Sequence, residues 1–179
     1  MRIGILLLLC IFFSSCSEPE VKSSQKQYVD LKGIIESEIL KLNRSQVRVN
    51  KTVMHNGQTE SLSNIEVKWE DELALFIESD INKSAWQRSY KVIENSEGAE
   101  FQSLDPNLRT KSIVVRYNQN KKPVYIQIKN QTDNSLYKTT EFLSFIPDSI
   151  YTIIKDQKVI LLGKNRFEIT GKIVHSKSN

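Results

Sequence analysis

Cysteine is nearly missing from this chain: two occur in 179 residues, at positions 10 and 16, and none follows. Everything from residue 17 onward must fold without a disulfide, and it offers no thiolate metal site, CxxC redox pair or cysteine nucleophile. Histidine is equally scarce. His55 precedes an Asn-Gly pair and His175 lies four residues from the end, and both read as solvated loop or tail residues. No HxxxH or HExxH spacing joins them, so the usual zinc signatures are missing. The six glycines are scattered singly, with no Gly-rich phosphate loop and no GxSxG. No cofactor and no metal are expected.

Only one long apolar run exists, the eleven residues from Ile3 to Phe13. A bilayer-spanning helix needs about 20. Arg2 precedes the run and Ser14-Ser15 follows it, which is the order of charge, apolar core and small residues in an export signal. A buried N-terminal helix or strand is the structural alternative, but a block this uniform has no polar side to turn to water.

Charge of one sign is lacking too. Lys and Arg number 25 against 21 Asp and Glu, a net +4, mixed along the whole chain. The densest basic stretch is Lys121-Lys122 with Arg116 upstream. A nucleic-acid surface would need a concentrated basic stripe with aromatic platforms, so no nucleic-acid partner is expected. The mild positive balance suits solubility near anionic lipid and a weak preference for a membrane surface.

What is present falls into two periodicities. Tyr28, Leu31, Ile35, Ile39 and Leu42 recur every three or four residues, predicting an amphipathic helix over 28–43. Gly33 weakens it by about 1 kcal/mol relative to Ala. Residues 46–53 alternate as a half-buried strand, Asn56-Gly57 signals a tight hairpin turn, and 58–62 would return. Ser63 and Glu66 have capping-box spacing, predicting a second helix over 63–79 with Ile65, Trp69, Leu73, Phe76 and Ile77 on its apolar face. From Arg88 the period is two, with strands predicted at 89–94, 99–104, 112–118, 124–130, 136–145, 151–155, 159–162 and 166–174. Strands joined by such short turns must be antiparallel. The expected fold is α+β: a curved antiparallel sheet, mostly one long C-terminal meander, with two main helices packed on one face.

The segment Phe13-Ser14-Ser15-Cys16 resembles the lipobox of bacterial lipoproteins, of the Bacteroidetes type in its Ser-Ser-Cys ending, although Phe13 replaces the commoner Leu. The resemblance implies a diacylglycerol on the Cys16 thiol, cleavage before Cys16 and acylation of the new amine. Three acyl chains at about 0.8 kcal/mol per buried methylene would make the anchor permanent. Ser17 lacks the Asp that retains enterobacterial lipoproteins in the inner membrane, so the resemblance implies an outer-membrane location, on the periplasmic or the outward side. The division that follows is a signal peptide at 1–15, lipidated cysteine and tether at 16–27, one α+β domain at 28–175 and a tail at 176–179. The stretches 65–90 and 135–163 are similar to a group of Bacteroidetes lipoproteins with no assigned activity. Asp148-Ser149-Ile150 resembles that group's O-glycosylation motif, with Ser149 as acceptor, and is equally an ordinary turn.

Three functions remain. A helix-covered antiparallel sheet resembles the half-barrels of the lipoprotein carriers and receptors of the outer membrane, which implies a non-catalytic binding module for an apolar or lipid-like ligand. Trp69, Phe76 and Trp86 are then candidates to line the pocket, at the seam of helix and sheet; core positions are the alternative. An accessory subunit of an envelope complex would instead have a filled core with an exposed apolar patch or an open edge strand. A carboxylate hydrolase would have to draw on Glu66, Glu70, Asp71, Glu72, Glu78 and Asp80, most of which fit a solvated helix face. Asp80-Ile81-Asn82 is expected to close a helix end by side-chain hydrogen bonds. No catalytic residue is expected.

Overall fold

The structure is a computed structural model that describes residues 28–175, so the signal, Cys16 and the tether lie outside the described residues. The first helix, α1, runs Leu31–Ser45. Asp30 caps it by accepting the Gly33 N–H at 3.0 Å, and Gln46 ends it in the left-handed region. Leu31, Ile35, Ile39 and Leu42 are its buried residues, the stripe that the sequence spacing marks.

Two strands follow, β1 (Arg48–His55) and β2 (Gln58–Ile65), joined by Asn56 and Gly57 at φ 50° and 88°. Positive φ at both central residues is what makes Asn-Gly a tight hairpin. The expected capping box is not formed: residues 63–65 belong to β2, and Glu66 pairs with Arg48. The ladder with β1 wins over the local capping signal. It is extended through a register shift between Val49 and Lys51, where Asn50 Oδ1 accepts the Asn64 N–H at 2.8 Å.

The second long helix is also corrected. It is two short pieces, α2 (Trp69–Glu72) and α3 (Ala74–Glu78), broken at Leu73 with φ −104° and ψ 9°. The break leaves the stripe intact, because Trp69, Leu73 and Phe76 are all buried. A single 3₁₀ turn at Ser84–Trp86 leads into the meander.

The meander comprises β3 (Tyr90–Asn95), β4 (Gly98–Ser103), β5 (Thr110–Tyr117), β6 (Pro123–Asp133), β7 (Tyr137–Ile146), β8 (Ile150–Val159) and β9 (Gly163–Val174). Among the described residues all pairs are antiparallel, and β9 returns to pair with β1, giving one nine-stranded sheet in the order β2-β1-β9-β8-β7-β6-β5-β4-β3. The strands expected at 151–155 and 159–162 are corrected to the single β8. Val159 pairs with Gly163, so Ile160-Leu161-Leu162 is the turn and Gly163 takes φ 84°. Three apolar residues in a row look like strand in sequence; register makes them a turn.

Helices and sheet meet along one continuous cluster of buried side chains. Phe76 packs on Phe145 with ring centres 5.9 Å apart, and Trp69 meets Tyr151 edge-on at 6.3 Å. The interior is thus occupied by side chains, Leu31, Ile35, Leu42, Leu73, Phe76 and Ile81 among them, each fully buried.

Candidate functional site

Alternate residues of each strand share one face of the sheet, and the register sorts that face into rows. Val115, Ile126, Phe145, Tyr151 and Gly171 form one row, and Ile113, Ile128, Leu143, Ile153 and Ile169 the next. These two rows lie under the helices. One step further along, the chemistry changes: Asn130, Glu141, Lys155 and Phe167 are in register, followed by Thr132, Thr139, Gln157 and Asn165.

Of these rows, Thr132, Thr139, Glu141, Lys155 and Gln157 form the floor of an open cleft of about 710 Å³. Leu75, Ile77, Glu78 and Asp80 wall it on the helix side, with Lys32 and Lys83. Arg109 reaches in from the β4–β5 connection. Its Nη2 donates to Glu141 Oε2 at 2.7 Å, and Lys155 Nζ stands 3.4 Å from Glu141 Oε1. Asn130 Nδ2 donates to the same Glu141 oxygen at 3.2 Å and to Ser79 Oγ at 2.9 Å. Ser79 Oγ donates in turn to Leu75 O at 2.6 Å, tying α3 to the floor. Glu141 is a buried carboxylate held between two cations, the arrangement that burying a charge requires. Asn130 Oδ1 and Thr139 Oγ1 are buried without a hydrogen-bond partner among the described residues. Such atoms are uncommon in folded proteins and ask for an explanation.

At the other end of the helix-bearing face, Glu72 is shared by Lys51 Nζ at 2.6 Å and the Tyr151 hydroxyl. Burial, with Glu72 alongside, pushes the Tyr151 phenol far above its usual range. Burial does the same for Tyr90, whose hydroxyl donates to Thr110 O at 2.8 Å.

Of the sequence candidates, Trp69 and Phe76 are core residues, and neither borders the cleft. Trp86 is half-buried; Lys83 Nζ sits 4.2 Å from the centre of its ring, so the indole backs a residue of the cleft wall. Ser149 is exposed in the β7–β8 turn, next to Asp148, which pairs with Lys41 at 2.9 Å. The Asp148 contact is the main cause that raises the Lys41 pKa. Cys16 lies outside the described residues. The acidic run is dispersed among partners: Glu66 to Arg48, Glu70 to Asn43, Asp71 to Lys68, Glu72 to Lys51. His55 stacks on Phe167 at 4.2 Å, and His175 lies 3.4 Å from Asp148. Among the described residues no cluster of His, Cys, Asp or Glu could hold a metal ion, and no helix is long and apolar enough to cross a membrane.

The sequence candidates omitted Asn130, Glu141, Lys155 and Arg109. A signal for three of them was present. Asn130 follows Ile126 and Ile128 on the inward parity of β6, Glu141 precedes Leu143 and Phe145 on that of β7, and Lys155 follows Tyr151 and Ile153 on that of β8. A polar residue at an apolar-parity position in each of three adjacent strands marks a polar patch on the covered face.

No family model and no curated protein matches this chain. Among solved structures, the S-type phycobiliprotein lyase CPES from Guillardia theta is similar over 85% of this chain and 100% of its own, at 9% identity and a TM-score of 0.27. A likeness that small transfers neither an activity nor a ligand.

Proposed function

We propose that this protein is a lipid-anchored, non-catalytic binding protein of the cell envelope, held at the outer membrane through Cys16, and that the cleft beside α3 holds its ligand. One observation carries the binding reading: among the described residues an open cleft lies beside α3, and its floor is polar and ion-paired rather than apolar. The volume is within the range of small-molecule sites. Leu75 and Ile77 offer an apolar wall, while Lys32, Lys83, Arg109 and Lys155 offer cations. The ligand that fits is amphipathic, with an acidic or hydrogen-bonding head on Arg109 and Lys155 and a short apolar part against α3. A bare acyl chain does not suit a charged floor. The Cys16 anchor is supported by residues 13–16 of the sequence alone.

Native mass spectrometry of the full chain, expressed from its own signal and released from membranes, tests both parts. A lipid-sized mass increment on Cys16 is expected, and Cys16→Ala should lose it. A second, non-covalent small-molecule mass is expected, and Lys32→Glu with Lys83→Glu should weaken it without touching the core. A protein that carries no non-covalent mass would sink the ligand reading.

A docking role as an accessory subunit is favoured by a separate observation. Strand β2 is exposed from Gln58 to Asn64, and among the described residues it pairs on one side only. An open edge can accept a partner strand. A co-purifying envelope protein lost on Thr59→Pro would favour that role.

A further inference from the structure

The β8–β9 turn projects three apolar side chains: Ile160, Leu161 and Leu162 are 69%, 93% and 79% exposed, and Leu136 in the neighbouring β6–β7 turn is 69% exposed. The Ile160 N–H donates to Leu136 O at 3.2 Å, so the two turns form one tip. Single exposed apolar residues are ordinary, but a contiguous group of four is not.

The tip has a basic collar. Lys138 lies opposite Lys158 across β7 and β8, and Lys158 opposite Lys164 across β8 and β9, on the face away from the helices. Like charges placed directly opposite one another destabilise a sheet. With Arg166 these lysines line a groove of about 460 Å³; Asp156, its one acidic side chain among the described residues, is bound by Arg166 through both oxygens at 2.9 Å. Lys138 pairs with Asp133. Lys158 and Lys164 have no ion-pair partner among the described residues.

We propose that this tip inserts into the acyl layer of an anionic bilayer, with the lysine row at the level of the lipid phosphates. A convex apolar turn gains by leaving water, and cations just behind it gain from an anionic surface. Charge complementarity selects this occupant over an apolar protein groove, which would have no use for Lys158 and Lys164, the two lysines without an ion-pair partner among the described residues. The contact is independent of lipid on Cys16 and of the cleft.

The test uses the chain from Ser17 onward, which contains every described helix and strand but neither the apolar leader nor Cys16, so vesicle binding reports the tip. Co-sedimentation is expected with vesicles of equal phosphatidylglycerol and phosphatidylethanolamine and not with phosphatidylcholine, weakening from about 0.05 to about 0.5 M salt. Leu161→Ser with Leu162→Ser, both exposed, should lower partitioning at least about tenfold. Lys158→Glu with Lys164→Glu should lower it by about tenfold or more. Leu161→Trp should shift its emission to the blue on anionic vesicles and be quenched by brominated lipid. No binding to anionic vesicles, equal binding by the serine variant, or an unshifted Leu161→Trp emission would overturn the proposal. So would a concentration-dependent dimer abolished by the serine substitutions, which would give the tip to a second copy of the chain. None of these failures bears on the anchor or the cleft ligand, because the chain tested lacks Cys16 and the cleft variants are separate.

Discussion

Gly171 lies against the ring of Tyr151: a Cβ at residue 171 would come within 2.1 Å of Tyr151 Cε1. The ring cannot readily step aside, because its hydroxyl is bonded to Glu72 and it packs near-perpendicular to Trp69. The glycine on β9 is there to admit a tyrosine from β8. Gly171→Ala should therefore destabilise the protein by about 1–3 kcal/mol, the usual cost of overpacking a core. Urea unfolding of the single variant and of Gly171→Ala with Tyr151→Leu checks this. The smaller partner should recover part of the loss, and an unaltered midpoint in the single variant would show that the ring has room to move.

The same tyrosine predicts a response to alkali. Tyr151, Tyr90 and Tyr117 all have pKa values raised by burial. Each holds its proton more tightly folded than unfolded, so above about pH 10, where a free phenol ionises, the folded state binds more protons. Stability is then full below that pH and falls as pH rises through the folded values. Denaturant midpoints measured from about pH 9 to about pH 11 should decline, and Tyr151→Phe should make the decline shallower. An identical slope in the variant would remove Tyr151 from the account.

The cleft floor gives a prediction of opposite logic. Glu141 is almost wholly buried, whereas Arg109 and Lys155 are about one-third exposed, at 31% and 35%. Taking Arg109 away leaves the carboxylate buried with weaker partners, so Arg109→Met should cost about 2 kcal/mol, less than a fully buried pair because solvent screens the guanidinium. Adding Glu141→Leu should give part of that back, since removing both charges leaves no orphan. Thermal unfolding of the two variants decides the order. A double variant less stable than Arg109→Met alone would mean that the Asn130 and Lys155 contacts hold the floor without Arg109.

How far the sequence reached depended on whether the deciding interaction was local. The α1 stripe, the Asn56-Gly57 turn and the meander were legible because each is written in a few neighbouring residues. The Ser63–Glu66 capping box was equally local but lost to pairing with β1, a contact set by register over eight residues. Ile160-Leu161-Leu162 reads as strand in the sequence for the same reason: only the pairing of Val159 with Gly163 makes it a turn. The cleft needs three strands in register at once. Its residues stood on the right parity in the sequence, yet nothing within one strand says that Asn130, Glu141 and Lys155 meet. Trp69 and Phe76 illustrate the converse, since aromatic residues on an amphipathic stripe look alike whether they line a cavity or fill a core.

Asp80-Ile81-Asn82 reads in the sequence as the close of a helix end, and its side chains also act at longer range. Asn82 Oδ1 accepts the Tyr28 N–H at 3.1 Å, and its Nδ2 donates to Val29 O at 2.7 Å, while Asp80 Oδ2 accepts the Asn82 N–H at 3.2 Å. Asp80 Oδ1 receives the Lys32 N–H at 3.4 Å. The segment after α3 thereby grips the chain just before α1, where Tyr28 packs on Tyr90 and Phe101. Asn82→Ala removes the amide side chain's bonds to Tyr28 and Val29 from a half-buried site and should cost about 1–3 kcal/mol. The loss should be local as well as global: amide exchange should quicken at residues 28–34 before it changes at Ile35 to Leu42, which the core holds independently. Uniform exchange rates along α1 in the variant would show that the grip on Tyr28 and Val29 does not set the stability of that end of the helix.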